Sequence, residues 1–144
     1  MFYKRGGTSG PYAASEPETN ALMMAFKSHP SVMYLDFHSR GECIYYYRQA
    51  MSSQYNKRQR VIANELKAST GYSLVPPEDE IGVDDSGGNS VHFYSEKFKM
   101  PAFTIETAPE DTAFPMDIRL AEEAFDRMKD ILLDIVSICD SEVL

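Results

Sequence analysis

Two short apolar runs, each ending in an ionisable side chain, constrain this chain more than any other feature. Val32-Met33-Tyr34-Leu35-Asp36-Phe37 ends at His38, and Ala102-Phe103-Thr104-Ile105 ends at Glu106. Near-continuous apolar runs of strand length fit strands covered on both faces, as in sheets flanked by helices. In open α/β sheets the ligand-handling groups sit where strands end. An imidazole and a carboxylate at two such ends are the residue types that bind a metal and move a proton.

The 144 residues, 43% hydrophobic and 12% aromatic, suffice for one compact domain with a core. A formal charge of −8 argues against a nucleic-acid partner, because phosphate binding rests on Lys and Arg. The basic cluster Lys57, Arg58 and Arg60 reads as a solvated helix face. No apolar run reaches the ~18 residues of a membrane span, so no membrane partner is expected. The start Met1 to Gly7 lacks the apolar core of a secretory signal, and the compartment is left open. Cys43, in an apolar strand, and Cys139, on a helical apolar stripe, read as buried thiols without metal-ligand or redox spacing.

Residues 1–14 read as an irregular lead-in. Ser15-Glu16-Pro17-Glu18 then matches a capping box, opening a helix with Leu22, Ala25 and Phe26 on its apolar face and Pro30 as its stop. Gly41 separates the first apolar strand from a second, Cys43 to Tyr47, along which Tyr45, Tyr46 and Tyr47 alternate faces. Residues 55–69 fit a helix with Val61, Ile62, Ala63 and Leu66 turned inward. Residues 72–89, with Pro76-Pro77, clustered acids and Gly87-Gly88, read as a long loop. A short helix over about 89–97 precedes the strand ending at Glu106. Ile118, Ala121, Phe125, Met128, Leu132, Ile135 and Cys139 then predict one long core-covering amphipathic helix.

Strand period two puts Asp36 and His38 on one side, so a neighbouring acceptor can hold His38 while one ring nitrogen faces a metal. Judged alone, a single histidine is more often a satisfied structural residue than a metal ligand. Glu106 is either half buried and paired or working in a cleft. Asp85-Ser86-Gly87-Gly88 resembles a serine-protease nucleophile loop, but the flanking helical segments speak against the two barrels that fold requires.

Taken together, these segments resemble the carboxyl-terminal half of the zinc metallocarboxypeptidase family over about residues 10–138. The shared order is an apolar strand ending in His38-Ser39, an aromatic strand, a long helix, Ser86-Gly87-Gly88, Phe103-Thr104-Ile105-Glu106 and a final amphipathic helix. Asp36-Phe37-His38-Ser39-Arg40-Gly41-Glu42 with Ile44-Tyr45, and Pro101 to Glu106 with Pro115 downstream, look most like the bacterial branch acting on γ-D-glutamyl-diaminopimelate bonds of peptidoglycan peptides. The resemblance implies an α/β fold, a mixed sheet with flanking helices forming part of the zinc-carboxypeptidase fold. It implies His38 as the third zinc ligand, Glu106 as general base, and a peptide substrate contacted by Ser39 and by the guanidinium fork of Arg40. Ser90 or Val91 would line a side-chain pocket.

The family's first two zinc ligands come from a His-x-x-Glu element, and none exists here. His29, His38 and His92 are followed three places later by Val32, Gly41 and Ser95. The zinc site is therefore incomplete, which fits a fragment of a peptidase that is inactive alone. A non-catalytic peptide- or protein-binding module on the same fold is the alternative. A sheet cut in this way leaves an inner strand as an open edge, through which two copies could form a homodimer.

Overall fold

The computed structural model describes residue 12 and residues 14–80 and 89–140, without the side chains of Cys139 and Asp140. The Asp85 to Gly88 loop, the Cys139 thiol and almost all of the expected lead-in lie outside the described residues. The chain divides into two compact units, one running through Ser31 and the other starting at Val32.

In the first unit, helix α1 spans Pro17–Ser28 with proline in its first turn and no buried residue. The capping box does not form. Glu16 is the cap residue and makes no side-chain cap bond, while the Ser15 hydroxyl donates to the Glu16 carboxylate at 2.8 Å. The hydroxyl is thus engaged one residue too early to reach the helical amides.

The second unit is built on a four-stranded sheet in the order β1-β4-β2-β3. Its strands are β1 (Tyr34–Ser39), β2 (Cys43–Tyr45), β3 (Ser73–Leu74) and β4 (Ala102–Thr107). β4 runs parallel to β1 and antiparallel to β2, and β3 is parallel to β2. This is a mixed sheet in an α/β fold. Among the described residues β1 is an outer strand; its two faces are covered only in part, Leu35 packing against the core and Tyr34 against Tyr94 while Phe37 remains 49% exposed.

Helix α2 (Ser53–Thr70) starts where Ser52 accepts the Tyr55 amide at 3.2 Å and ends at Gly71 in the left-handed region. It buries Gln59, Ile62, Ala63 and Leu66 at helical spacing, whereas Val61, expected inward, faces out. Gln59 takes the inner position because its amide donates to the carbonyls of Tyr46 and Ala102, at 3.2 and 2.9 Å. A buried polar side chain is tolerated when so paired. Ile44, Phe103 and Ile105 from the sheet meet Ile62, Ala63 and Leu66, with Ile131 and Ile138 completing the core. Each such side chain withdrawn from water contributes roughly 1.5–3 kcal/mol before chain entropy is counted.

Of the expected loop at 72–89, the described residues 72–80 are structured. Tyr72 is buried, Ser73 and Leu74 pair with β2, and Pro77–Glu80 form the short helix α3. Glu80 accepts from the Tyr46 amide at 2.9 Å and the Tyr47 amide at 2.9 and 3.0 Å, and pairs with Arg48 at 3.3 Å. Arg48 also donates to the Ala102 carbonyl at 3.0 Å, and the two side chains are only 3% and 5% exposed.

The last helix is two helices, α5 (Ile118–Met128) and α6 (Ile131–Asp140). The turn at Lys129-Asp130 breaks the expected stripe. Ile131 and Ile138 enter the core with Ile135 partly buried beside them, while Ile118, Phe125 and Leu132 are exposed. Packing of α6 against α2 selects a different face from the one sequence spacing picks. Among the described residues no helix is long and apolar enough to cross a membrane.

Helix α4 (Ser90–Phe98), capped by Asn89 accepting the His92 amide at 2.8 Å, packs on the other face of β1 and β4. The rings of Tyr34 and Tyr94 lie 5.4 Å apart there.

Candidate active site

Parallel pairing of β1 with β4 sets His38 beside Glu106, and antiparallel pairing of β2 with β4 sets Cys43 on the other flank of Glu106. Register partners project from the same face of a sheet. His38, Glu106 and Cys43 therefore form one row, with Asp36, Thr104 and Tyr45 in the next row on that face. The opposite face carries Phe103, Ile105 and Ile44 into the core. Strand alternation thus separates a polar working face from an apolar structural one.

The His38 Nε2 lies 3.2 Å from the Asp36 carboxylate, which also accepts from the Ser90 hydroxyl at the start of α4. With Nε2 engaged, Nδ1 is the ring nitrogen left for another partner. The His38 side chain is 51% exposed, so a ligand can reach it. Glu106 is half buried, and its Oε2 is shielded from solvent without a hydrogen-bond partner among the described residues. Burial raises its pKa; the charge of His38 opposes that rise and the charge of Asp36 adds to it. Burial likewise pushes up the Cys43 thiol, with the Glu106 charge adding, and the Tyr45 phenol.

Gly41 makes this packing possible. A Cβ there would stand 3.0 Å from Cys43 Sγ and 3.3 Å from Glu106 Cβ, at a φ of +156°. Its amide donates to the Ala108 carbonyl at 2.9 Å, holding the β1 to β2 turn against the end of β4. Gly41→Ala should lower stability by about 1–3 kcal/mol through overpacking, read as a lower urea midpoint with an unchanged slope. A midpoint within error of the parent would mean that the turn relaxes freely.

The other residues expected at the site are placed less closely. Ser39 follows His38 in register with Thr107 and is exposed. Arg40 donates to the Thr112 carbonyl, and its guanidinium lies 5.2 Å from the centre of the Phe114 ring. Its partners thus belong to the segment after β4 rather than to His38 or Glu106. Ser90, expected with Val91 as a candidate pocket residue, donates its hydroxyl to the Asp36 carboxylate. Sequence reading missed that bond because 54 residues separate the partners. Tyr45 was legible as a residue facing one side of β2, and its proximity to Glu106 emerged only with the register.

The zinc carboxypeptidase family pattern matches residues 5–127. The chain belongs to the zinc carboxypeptidase family. Among solved structures, thrombin activatable fibrinolysis inhibitor aligns with a TM-score of 0.62 at 18% identity, over 93% of this chain and 35% of that one. This likeness supports the partial carboxypeptidase fold, and the chain spans about a third of the length of that protein. No curated protein matches the chain significantly.

Against the family's zinc, the residues present fit one corner of a site. His38 offers a free nitrogen beside the unpartnered oxygen of Glu106, yet among the described residues no three His, Cys, Asp or Glu side chains cluster to hold an ion.

Proposed function

We propose that this chain is the carboxyl-terminal part of a zinc-dependent peptidase acting on short peptides, with His38 as a metal ligand and Glu106 as the general base. The observation that carries the reading is the His38–Glu106 register pair, in which Glu106 keeps a buried oxygen without a partner among the described residues and the Nε2 of His38 faces Asp36. Zinc, once held by His38 and two ligands from outside this chain, supplies Lewis acidity and an acidified water. Within the chain, Asp36, itself held by Ser90, positions the His38 ring, and Glu106 accepts a proton from water and returns it to the leaving amine. Burial of Glu106 suits that exchange, because a carboxylate with a raised pKa takes up a proton more readily than an exposed one.

The finer reading is a peptidase of peptidoglycan-type peptides. It rests on the sequence Asp36 to Tyr45 and on Arg40 as a planar donor for a substrate carboxylate. Ser39 and Arg40 are the proposed substrate contacts, Arg40 being free to exchange the Thr112 carbonyl for a stronger carboxylate acceptor. A second reading, a peptide- or protein-binding module without catalysis, is favoured by the absence of a three-ligand cluster among the described residues.

Zinc titration of the chain by calorimetry separates the two. The peptidase reading expects weak binding that disappears in His38→Ala, and tight binding with peptide hydrolysis once an upstream segment bearing His-x-x-Glu is joined. A joined protein that binds zinc tightly with His38→Ala unchanged would remove His38 from the site.

A further inference from the structure

Helix α4 and strand β1 interlock two residues against two beside His38. Ser90 and Tyr94, four apart, share one face of α4, while Tyr34, Asp36 and His38, each two apart, share one face of β1. The Tyr94 ring, 2% exposed, lies 5.4 Å from the Tyr34 ring, and the Ser90 hydroxyl donates to the Asp36 Oδ2. The same oxygen faces the His38 Nε2 at 3.2 Å. The half-buried Tyr34 phenol is hydrogen-bonded to both Ser90 and Asp36. Asn89 caps α4 one residue before Ser90, which fixes the backbone carrying that hydroxyl.

We propose that Tyr34 and Ser90 are positioning residues for His38, acting through Asp36 to hold the imidazole in the tautomer protonated on Nε2, with the Nδ1 lone pair presented to a metal. The inference deepens the peptidase reading and rests on it only for the identity of that metal. A carboxylate accepts and does not donate, so the ring nitrogen facing Asp36 must be the one that carries the proton. Groups behind a metal-binding histidine set its tautomer in this way.

Asp36 alone would hold the ring weakly. The His38 side chain is 51% exposed, and an exposed pair gains little because ordering two side chains for one contact offsets the attraction. The two hydroxyls change that balance, because they order the carboxylate before the ring meets it. Neither is needed to join α4 to β1. The Tyr34–Tyr94 ring contact does that with apolar atoms, and Tyr34→Phe would keep it. The phenol oxygen and the serine hydroxyl are instead turned onto the one carboxylate that faces His38.

Nitrogen-15 resonances of the imidazole rings in the full chain, recorded above the pH at which histidine loses its charge, read the tautomer with no metal present. His38 is assigned by its loss in His38→Ala, and His29, exposed at the end of α1, is the internal reference. The parent should hold the His38 proton on Nε2 to a greater extent than His29 does. Tyr34→Phe combined with Ser90→Ala should move His38 toward the His29 value, as should Asp36→Ala, whereas Ser90→Thr, which retains the hydroxyl, should match the parent. In the Asp36→Ala background the two hydroxyl deletions should have no further effect, a non-additivity that a purely structural role would not produce. Zinc titrated into the chain and followed on the same resonances should bind about tenfold more weakly or worse in Asp36→Ala. Hydrolysis enters neither readout, so failure of the peptidase reading leaves the tautomer result standing. A parent His38 with the same tautomer population as His29, a population unmoved by the paired deletions, or deletions that act at full size without Asp36 would overturn the proposal.

Discussion

Glu80→Ala should destabilise the second unit by about 3–5 kcal/mol, a large share of the roughly 5–15 kcal/mol that holds a domain folded. The pair it breaks lies out of water, with Arg48 and Glu80 3% and 5% exposed at 3.3 Å. Its removal takes the Glu80 carboxylate from a buried guanidinium and the acceptor from the Tyr46 and Tyr47 amides at once. Exposed Glu78, two residues away on α3, is the control, and Glu78→Ala should stay within about 0.5 kcal/mol of the parent. Urea unfolding followed by circular dichroism compares them. Equal midpoints for the two variants would mean that Glu80 does not anchor α3 to the end of β2.

Glu106→Gln should act in opposite directions on activity and on stability. In the protein joined to its missing ligands, loss of the general base should lower kcat about 10²–10⁴-fold, with peptide affinity little changed. In the chain alone the same substitution should stabilise. Burial raises the folded pKa of Glu106 above its unfolded value, so the folded state binds this proton more tightly. That contribution is complete below the unfolded pKa and is lost as pH rises through the folded one. At pH 7 the wild type therefore carries a desolvated carboxylate that the neutral amide of the variant replaces. The variant should melt higher at pH 7, by about 3 °C for each kcal/mol regained, and the gain should fade below about pH 4. A lower melting point at pH 7 would show that Oε2 has a structural partner; an unchanged kcat would dispose of the base.

These two carboxylates differ in how visible they were. Glu106 was legible because a charged residue directly after Phe103-Thr104-Ile105 is out of place unless it is paired or working. Glu80 sat among Glu78, Asp79 and other acids in a segment that reads as solvated loop, and nothing local marks it as buried. Its partner lies 32 residues away, at the end of β2. The same holds for Ser90 and Asp36, and for Gln59, whose polar side chain fills an inward position because two distant carbonyls need a donor.

The sequence by itself determined most of the elements: apolar runs of strand length, period-3.6 patterns, and the polar ends of two apolar runs. These are local, set by neighbours within a few residues, as is the chemical identity of His38 and Glu106. Tertiary structure decided what those elements meet. Parallel pairing of β1 with β4 put His38 beside Glu106, antiparallel pairing of β2 with β4 put Cys43 on its other flank, and α2 rather than the spacing of three and four chose the buried side of α6. Register and packing depend on contacts dozens of residues apart, whose energies compete only once the chain is closed on itself, and no stretch of sequence carries that comparison alone.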